Sequence, residues 1–165
     1  MISPLSNKIR NRINLTLFII TIFILGGCEN DSNVAFHSSR DVSALGWGPK
    51  DSLIWPIEWQ DSIHAYNMDV EVRHDNSYPY QNLGLEICLA KGDTLIIKDT
   101  LNLSLTSPIG DWQGSGWGSL YQEQYPYNRV TFPYPGNYTL TVRPYMTDWN
   151  LKGIYSVGIK ISKHQ

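Results

Sequence analysis

A single thiol near the amino terminus carries the clearest chemistry in the chain. Cys28 follows Leu25-Gly26-Gly27, and ahead of these lies an apolar run from Leu15 to Leu25, preceded by Lys8, Arg10 and Arg12 with no acid. A basic start, an apolar stretch of about a dozen residues and small residues at the cut define a secretory signal. The run is too short to cross a bilayer, which takes roughly 20 apolar residues. Its ending, a branched residue, two small ones and a cysteine, resembles the bacterial lipobox. Small residues fit the signal protease, and the Cys28 thiol is the side chain there that can take a thioether-linked diacylglycerol. Residues 1–27 are therefore expected to be an export signal, with lipid on Cys28 holding the mature chain to a membrane. Acylation of the new amino terminus would make that anchor stable, at about 0.8 kcal/mol per buried CH2.

No other residue set offers comparable chemistry. His37, His64, His74 and His164 lack the i, i+4 spacing of a metalloprotease helix, and no Cys/His pairing suggests zinc. His74 is read as an ordinary exposed or hydrogen-bonded histidine. Gly114-Ser115-Gly116-Trp117-Gly118 is glycine-rich, but no helix follows it, as a dinucleotide fingerprint requires, and no Gly-Lys-Ser/Thr ending makes it a P-loop. The acids Asp69, Glu71, Glu86, Asp99 and Asp111 would serve as glycosidase carboxylates only at a defined separation across a cleft. On alternating strands they read as a solvent face. With Cys28 lipidated, Cys88 has no cysteine to pair with, and in Leu85-Glu86-Ile87-Cys88-Leu89 it reads as a small structural hydrophobe. No enzyme, metal or cofactor is expected.

Charge narrows the partners. The chain has 13 Lys+Arg and 15 Asp+Glu. Three of the bases and none of the acids fall in the first 27 residues, so the mature part is acidic. Its scattered charges lack the clustered basic footprint that phosphate backbones demand, which argues against nucleic acid.

The elements that must position these residues are strands. Tyr66, Met68, Val70 and Val72 alternate with Asn67, Asp69, Glu71 and Arg73, the period of a half-buried strand. Leu83-Leu85-Ile87, Leu101-Leu103-Leu105, Tyr138-Leu140-Val142 and Val157-Ile159-Ile161 repeat the pattern. Lys91-Gly92-Asp93 predicts a tight hairpin, and Pro79, Pro133, Pro135 and Gly136 punctuate the runs. No sustained 3.6-residue stripe follows the signal. The expected fold is all-β, an antiparallel, jelly-roll-like sandwich of about eight or nine strands over residues 47–165. Residues 28–46 read as the lipidated cysteine and a flexible tether, although Val34-Ala35-Phe36 could form a first edge strand.

Rings crowd the turn-rich segments: Tyr78-Pro79-Tyr80, Trp112, Trp117, Tyr121 and Tyr125-Pro126-Tyr127. Tyr78, Tyr80, Trp112, Trp117, Tyr125 and Tyr127 are the candidate contact residues, either for protein recognition or, alternatively, for stacking on sugars in a carbohydrate-binding module. They could equally plug the open ends of the sandwich. Four Asp-hydroxyl-aliphatic triplets, at Asp51-Ser52-Leu53, Asp61-Ser62-Ile63, Asp93-Thr94-Leu95 and Asp99-Thr100-Leu101, resemble an O-glycosylation sequon of Bacteroidetes exported proteins, though turns entering strands also favour such residues.

A family resemblance rests on longer blocks. Arg73-His74-Asp75-Asn76-Ser77-Tyr78-Pro79-Tyr80-Gln81-Asn82-Leu83 is similar to the signature segment of the gliding motility lipoprotein GldH family of Bacteroidetes. Asp99-Thr100, Gly110-Asp111-Trp112-Gln113-Gly114-Ser115-Gly116, Gly136-Asn137-Tyr138 and Leu151-Lys152-Gly153-Ile154 follow in the family's order. The resemblance implies an outer-membrane lipoprotein, more at the periplasmic face than the cell surface, that works with other envelope proteins in gliding and the linked type IX secretion pathway. It carries over no catalytic residues. Metabolic labelling with an alkyne fatty acid should tag the wild-type protein; a Cys28→Ala chain should lose both the tag and its partition with membranes, and retention of both would refute the anchor.

Overall fold

The computed structural model describes residues 33–61 and 65–164. The expected signal, Cys28, His64 and the hydroxyl of the Asp61-Ser62-Ile63 triplet lie outside the described residues.

Nine strands form two antiparallel sheets: β1 (Val34–Asp41), β2 (Leu53–Trp59), β3 (Ala65–Asp75), β4 (Asn82–Lys91), β5 (Thr94–Ser104), β6 (Ser115–Trp117), β7 (Leu120–Thr131), β8 (Gly136–Pro144) and β9 (Ile154–Lys163). One sheet runs β1-β9-β3-β7-β6 and the other β2-β8-β4-β5. Leaving aside the short β6, this is the jelly-roll order, in which every connection but the β4–β5 hairpin crosses between sheets and first and last strands lie side by side. The architecture agrees with the alternation in the sequence. Tyr66, Met68, Val70 and Val72 of β3 are buried against the Leu83, Leu85, Ile87 and Leu89 row of β4, with Leu140 and Val142 of β8 and Val157, Ile159 and Ile161 of β9 completing the layer between the sheets. Each such side chain contributes about 1.5–3 kcal/mol by leaving water.

Two boundaries differ from the expectations. The tether expected over 28–46 is shortened, because Val34–Asp41 forms a full edge strand on β9, from Val34↔Ser162 to Asp41↔Ser156. Its inward residues are only half-buried, as befits an edge, so its alternation is faint. β2 contains Pro56, which an edge strand tolerates because one row of its N–H groups faces outward. Tyr125-Pro126-Tyr127, expected in a loop, lies within β7 instead. There the pairing shifts between Met68 and Asp69, where Asn128 and Pro126 are the successive partners, leaving Tyr127 as the extra residue of a bulge. The expected Gly92-Asp93 hairpin is present: Lys91 pairs Thr94 across it, and Gly92 takes a φ of +57°.

One end of the sandwich is sealed by rings. Trp59 stacks on Phe132 with centroids 4.0 Å apart, while Tyr66 meets Trp59 edge-on at 4.6 Å and Tyr138 meets Phe132 edge-on at 5.0 Å. Phe132 is the member that touches the other three. Phe132→Ala should therefore lower unfolding stability by about 3–5 kcal/mol in urea titration; a loss under 1 kcal/mol would contradict this packing.

Candidate functional site

The winding sorts the connections. Strands β1, β3, β5, β6 and β8 run one way and their partners the other. The loops after β1 (42–52), β3 (76–81), β5 (105–114) and β8 (145–153), with the β6–β7 turn (118–119), therefore gather at one end. The opposite end holds the short connections after β2, β4 and β7 and the start of β1, where the Lys163 amide donates to the Asn33 carbonyl.

The long loops brace one another into a crown. Trp47 is buried and pairs its backbone with Leu151 in both directions, at 2.9 and 3.1 Å, and its indole Nε1 donates to the Asp51 carbonyl. The Asn150 amide donates to the Leu45 carbonyl, tying the β8–β9 loop to the β1–β2 loop. Tyr80 Oη donates to Asp148 at 2.9 Å, and the Asp75 amide to the Gly153 carbonyl, tying in the β3–β4 loop. The Leu105 amide closes the ring onto the Gln81 carbonyl. Gly153 is required here: its φ is +85°, and a Cβ would collide with the Tyr78 backbone. The Tyr80 hydrogen bond holds the Asp148 carboxyl below its ordinary pKa and raises that of the phenol.

This frame redistributes the six candidate rings. Tyr78 is buried and donates to the Asn82 carbonyl, so it braces the crown and cannot contact a partner. Tyr80 and Trp112 are half-buried parts of the same frame. Tyr125 and Tyr127 close the side between β7 and β5, with hydroxyls on Glu123 and Asp99, and burial raises both phenol pKa values. Trp117 alone of the six is fully open, at 95 % exposure. The crown instead presents apolar residues that the sequence reading passed over: Leu45 (83 % exposed), Ile109 (86 %), Tyr145 (65 %) and Trp149 (76 %). The available signal was the lack of alternation in Tyr145-Met146-Thr147-Asp148-Trp149-Asn150, which leaves large side chains in a turn with no sheet to cover them.

Nor is His74 exposed or well bonded. It continues the inward parity of β3, is buried, and lies between Trp112 (ring centroids 4.8 Å) and Tyr121 (5.5 Å, stacked). Nδ1 is 3.4 Å from the Asp75 carbonyl, and Nε2 has no hydrogen-bond partner. Burial pushes its pKa below the ordinary 6.5, against weaker opposing pulls from Asp75 and Glu123. Elsewhere, Cys88 is half-buried beside Glu86, which Arg143 holds at 2.7 Å; burial and that carboxylate raise the thiol pKa, the reverse of activation. Among the described residues no group of three or more His, Cys, Asp or Glu is placed to hold a metal ion.

His74 gives the crown a pH dependence of definite sign. Unfolded, it takes up a proton near pH 6.5; folded, it resists until lower pH. The unfolded chain thus binds more protons below that value, and stability falls as pH drops. The urea midpoint should decline from pH 7 to pH 5, and His74→Gln should flatten that slope; an equal slope in both proteins would show that His74 does not titrate this way.

Comparison with known proteins follows this geometry. The family profile described as GldH lipoprotein matches residues 34–161, from the first residue of β1 into β9. A gliding motility lipoprotein GldH homolog of Christiangramia forsetii is 29 % identical over 165 aligned residues, covering 93 % of this chain and 98 % of its own. The gliding motility lipoprotein GldH of Flavobacterium johnsoniae is 23 % identical, covering 91 % and 96 %. Among solved structures, the tobacco streak virus coat protein aligns over 83 % of this chain and 91 % of its own at 10 % identity, with a TM-score of 0.29. The family match runs through both sheets and all four crown loops, and the chain belongs to the GldH lipoprotein family.

Proposed function

We propose that this protein is a non-enzymatic adaptor of the gliding-motility and type IX secretion-associated envelope machinery. Lipid on Cys28 anchors it at the periplasmic face of the outer membrane, and the crown docks another envelope protein. One observation carries this reading: the apolar crown stands at the end of the sandwich opposite the start of β1, the strand that follows Cys28 in sequence. Cys28 precedes Val34 by six residues, which span at most about 20 Å fully extended. β3, with 11 residues, is itself roughly 35 Å long. Lipid on Cys28 would thus be tied within that reach of the start of β1, while Leu45, Ile109, Tyr145 and Trp149 stand a strand's length from that start.

Large apolar side chains on a braced frame suit protein contact. They bury area at low entropic cost because the loops carrying them are already fixed by hydrogen bonds. The described residues offer no thiol, histidine or carboxylate poised for catalysis, which supports an adaptor role.

The test is to supply the full-length Trp149→Ala and Ile109→Ser variants to a gliding host that lacks its own copy. Membrane abundance should match wild type, while colony spreading and cargo secretion fall severalfold. Normal spreading and secretion with both changes combined would overturn the docking role of the crown.

A further inference from the structure

The outward face of the five-stranded sheet is chemically unlike the crown. Register places its side chains in rows across the strands. Asp41, Ser156, Arg73, Gln122 and Ser115 form one row, and Asp75, Leu120 and Trp117 form the next. Tyr155, beside the bulge where β9 shifts against β3, flanks this second row with its hydroxyl on Asp75. Small residues hollow the face. Gly158 lies under the His37–Glu71 pair (2.9 Å), and a Cβ there would come within 2.8 Å of the Glu71 carboxylate. Two adjoining hollows of about 230 and 480 Å³ result, and both are lined by Arg73 and Ser156.

Arg73 sits between them with its donors open. Its neighbouring acids are already engaged, Glu71 by His37 and Asp75 by Ser77 and Tyr155. Those hydrogen bonds hold the Asp75 carboxyl below its ordinary pKa although burial opposes its ionisation, so it stays an anion. The Arg73 side chain makes no hydrogen bond or ion pair among the described residues. A guanidinium with five unused donors is set for a ligand rich in acceptor oxygens. Charge decides which ligand. Around the two hollows Asp41, Glu71 and Asp75 outnumber Arg73, with His37 already paired to Glu71, so a phosphate or polyuronate meets net repulsion there. The charged, hollowed centre is equally unlike a protein interface, whose core is depleted of charge.

Neutral hydroxyls satisfy both signs, accepting from Arg73 and Gln122 and donating to Asp41 and Asp75. Trp117 adds the apolar component. It stands on the same face as Arg73, two strands across and one outward position along, about 12 Å away. That span exceeds one sugar ring and suits a short oligosaccharide laid from the guanidinium to the indole. We propose that this face is a binding site for neutral oligosaccharides, with Arg73 and Gln122 holding hydroxyls and Trp117 stacking on the apolar side of a sugar ring. The site borders the crown at Val42 and Ser119 but uses none of its exposed apolar residues Leu45, Ile109, Tyr145 and Trp149.

The test uses the lipidated protein in nanodiscs, titrated calorimetrically with cellohexaose, xylohexaose, mannohexaose and chitohexaose, and with alginate oligomers as the charged comparison. At least one neutral hexasaccharide should bind saturably. Arg73→Gln and Trp117→Ala should each weaken it at least tenfold, and Trp149→Ala on the crown should leave it unchanged. Both altered side chains are exposed, so neither change empties the core. No binding by any neutral oligomer, tighter binding of alginate, or unaltered affinity in Arg73→Gln and Trp117→Ala would each overturn the proposal. None of these results bears on spreading in the crown variants, so the two readings fail separately.

Discussion

Every strand described but the short β6 turns one row of side chains toward the space between two sheets, and everything else is arranged around that burial. The rows from β3, β4, β8 and β9 meet as a continuous aliphatic layer. Because antiparallel neighbours reverse the chain at each step, the layer dictates where connections fall. The Trp59–Phe132–Tyr138 rings fill one end, while the longer loops are left to the other end. Parity along each strand then separates the remaining surfaces. Inward positions on β3 run from Tyr66 to His74, and outward positions from Asn67 to Asp75 become the polar face.

Much of this was legible in the residues because a period of two is hard to hide in a central strand. β3, β4, β8 and β9 each have neighbours on both sides, and their inward rows are buried and, apart from His74, apolar through Tyr66–Val72, Leu83–Leu89, Tyr138–Val142 and Val157–Ile161. Edges obey the rule more loosely. β1 alternates Val34, Phe36 and Ser38 against a half-covered side, and β2 interrupts its pattern with Pro56, so neither stands out in sequence. Tyr125-Pro126-Tyr127 failed for a related reason: proline reads as a turn, yet at a bulge on β7 its missing N–H costs little.

The contact surface was less legible because exposure is a tertiary property. Tyr78 and Trp149 are both rings in polar turns, and nothing local tells them apart. One turns inward because Gly153 lets the β8–β9 loop close over it, and the other is left outside the same loop. His74 shows the converse. Its parity on β3 pointed inward, but a polar ring at the end of an apolar row invites an exposed reading, and only the packing of Trp112 and Tyr121 settles its burial. An imidazole nitrogen without a partner there costs about 1–3 kcal/mol. The crown's rigidity is thus achieved with aromatic packing around a polar group that a purely structural core would replace.

The edge pairing of β1 with β9 has a mechanical meaning. If a lipid drags the start of β1 while a partner resists at the crown, the load runs lengthwise along the strand. The hydrogen bonds between β1 and β9, from Val34↔Ser162 to Asp41↔Ser156, are then strained side by side and must yield together rather than peel apart one after another. Under such a load the sandwich would carry tension lengthwise through the β1–β9 ladder without unravelling from the start of β1.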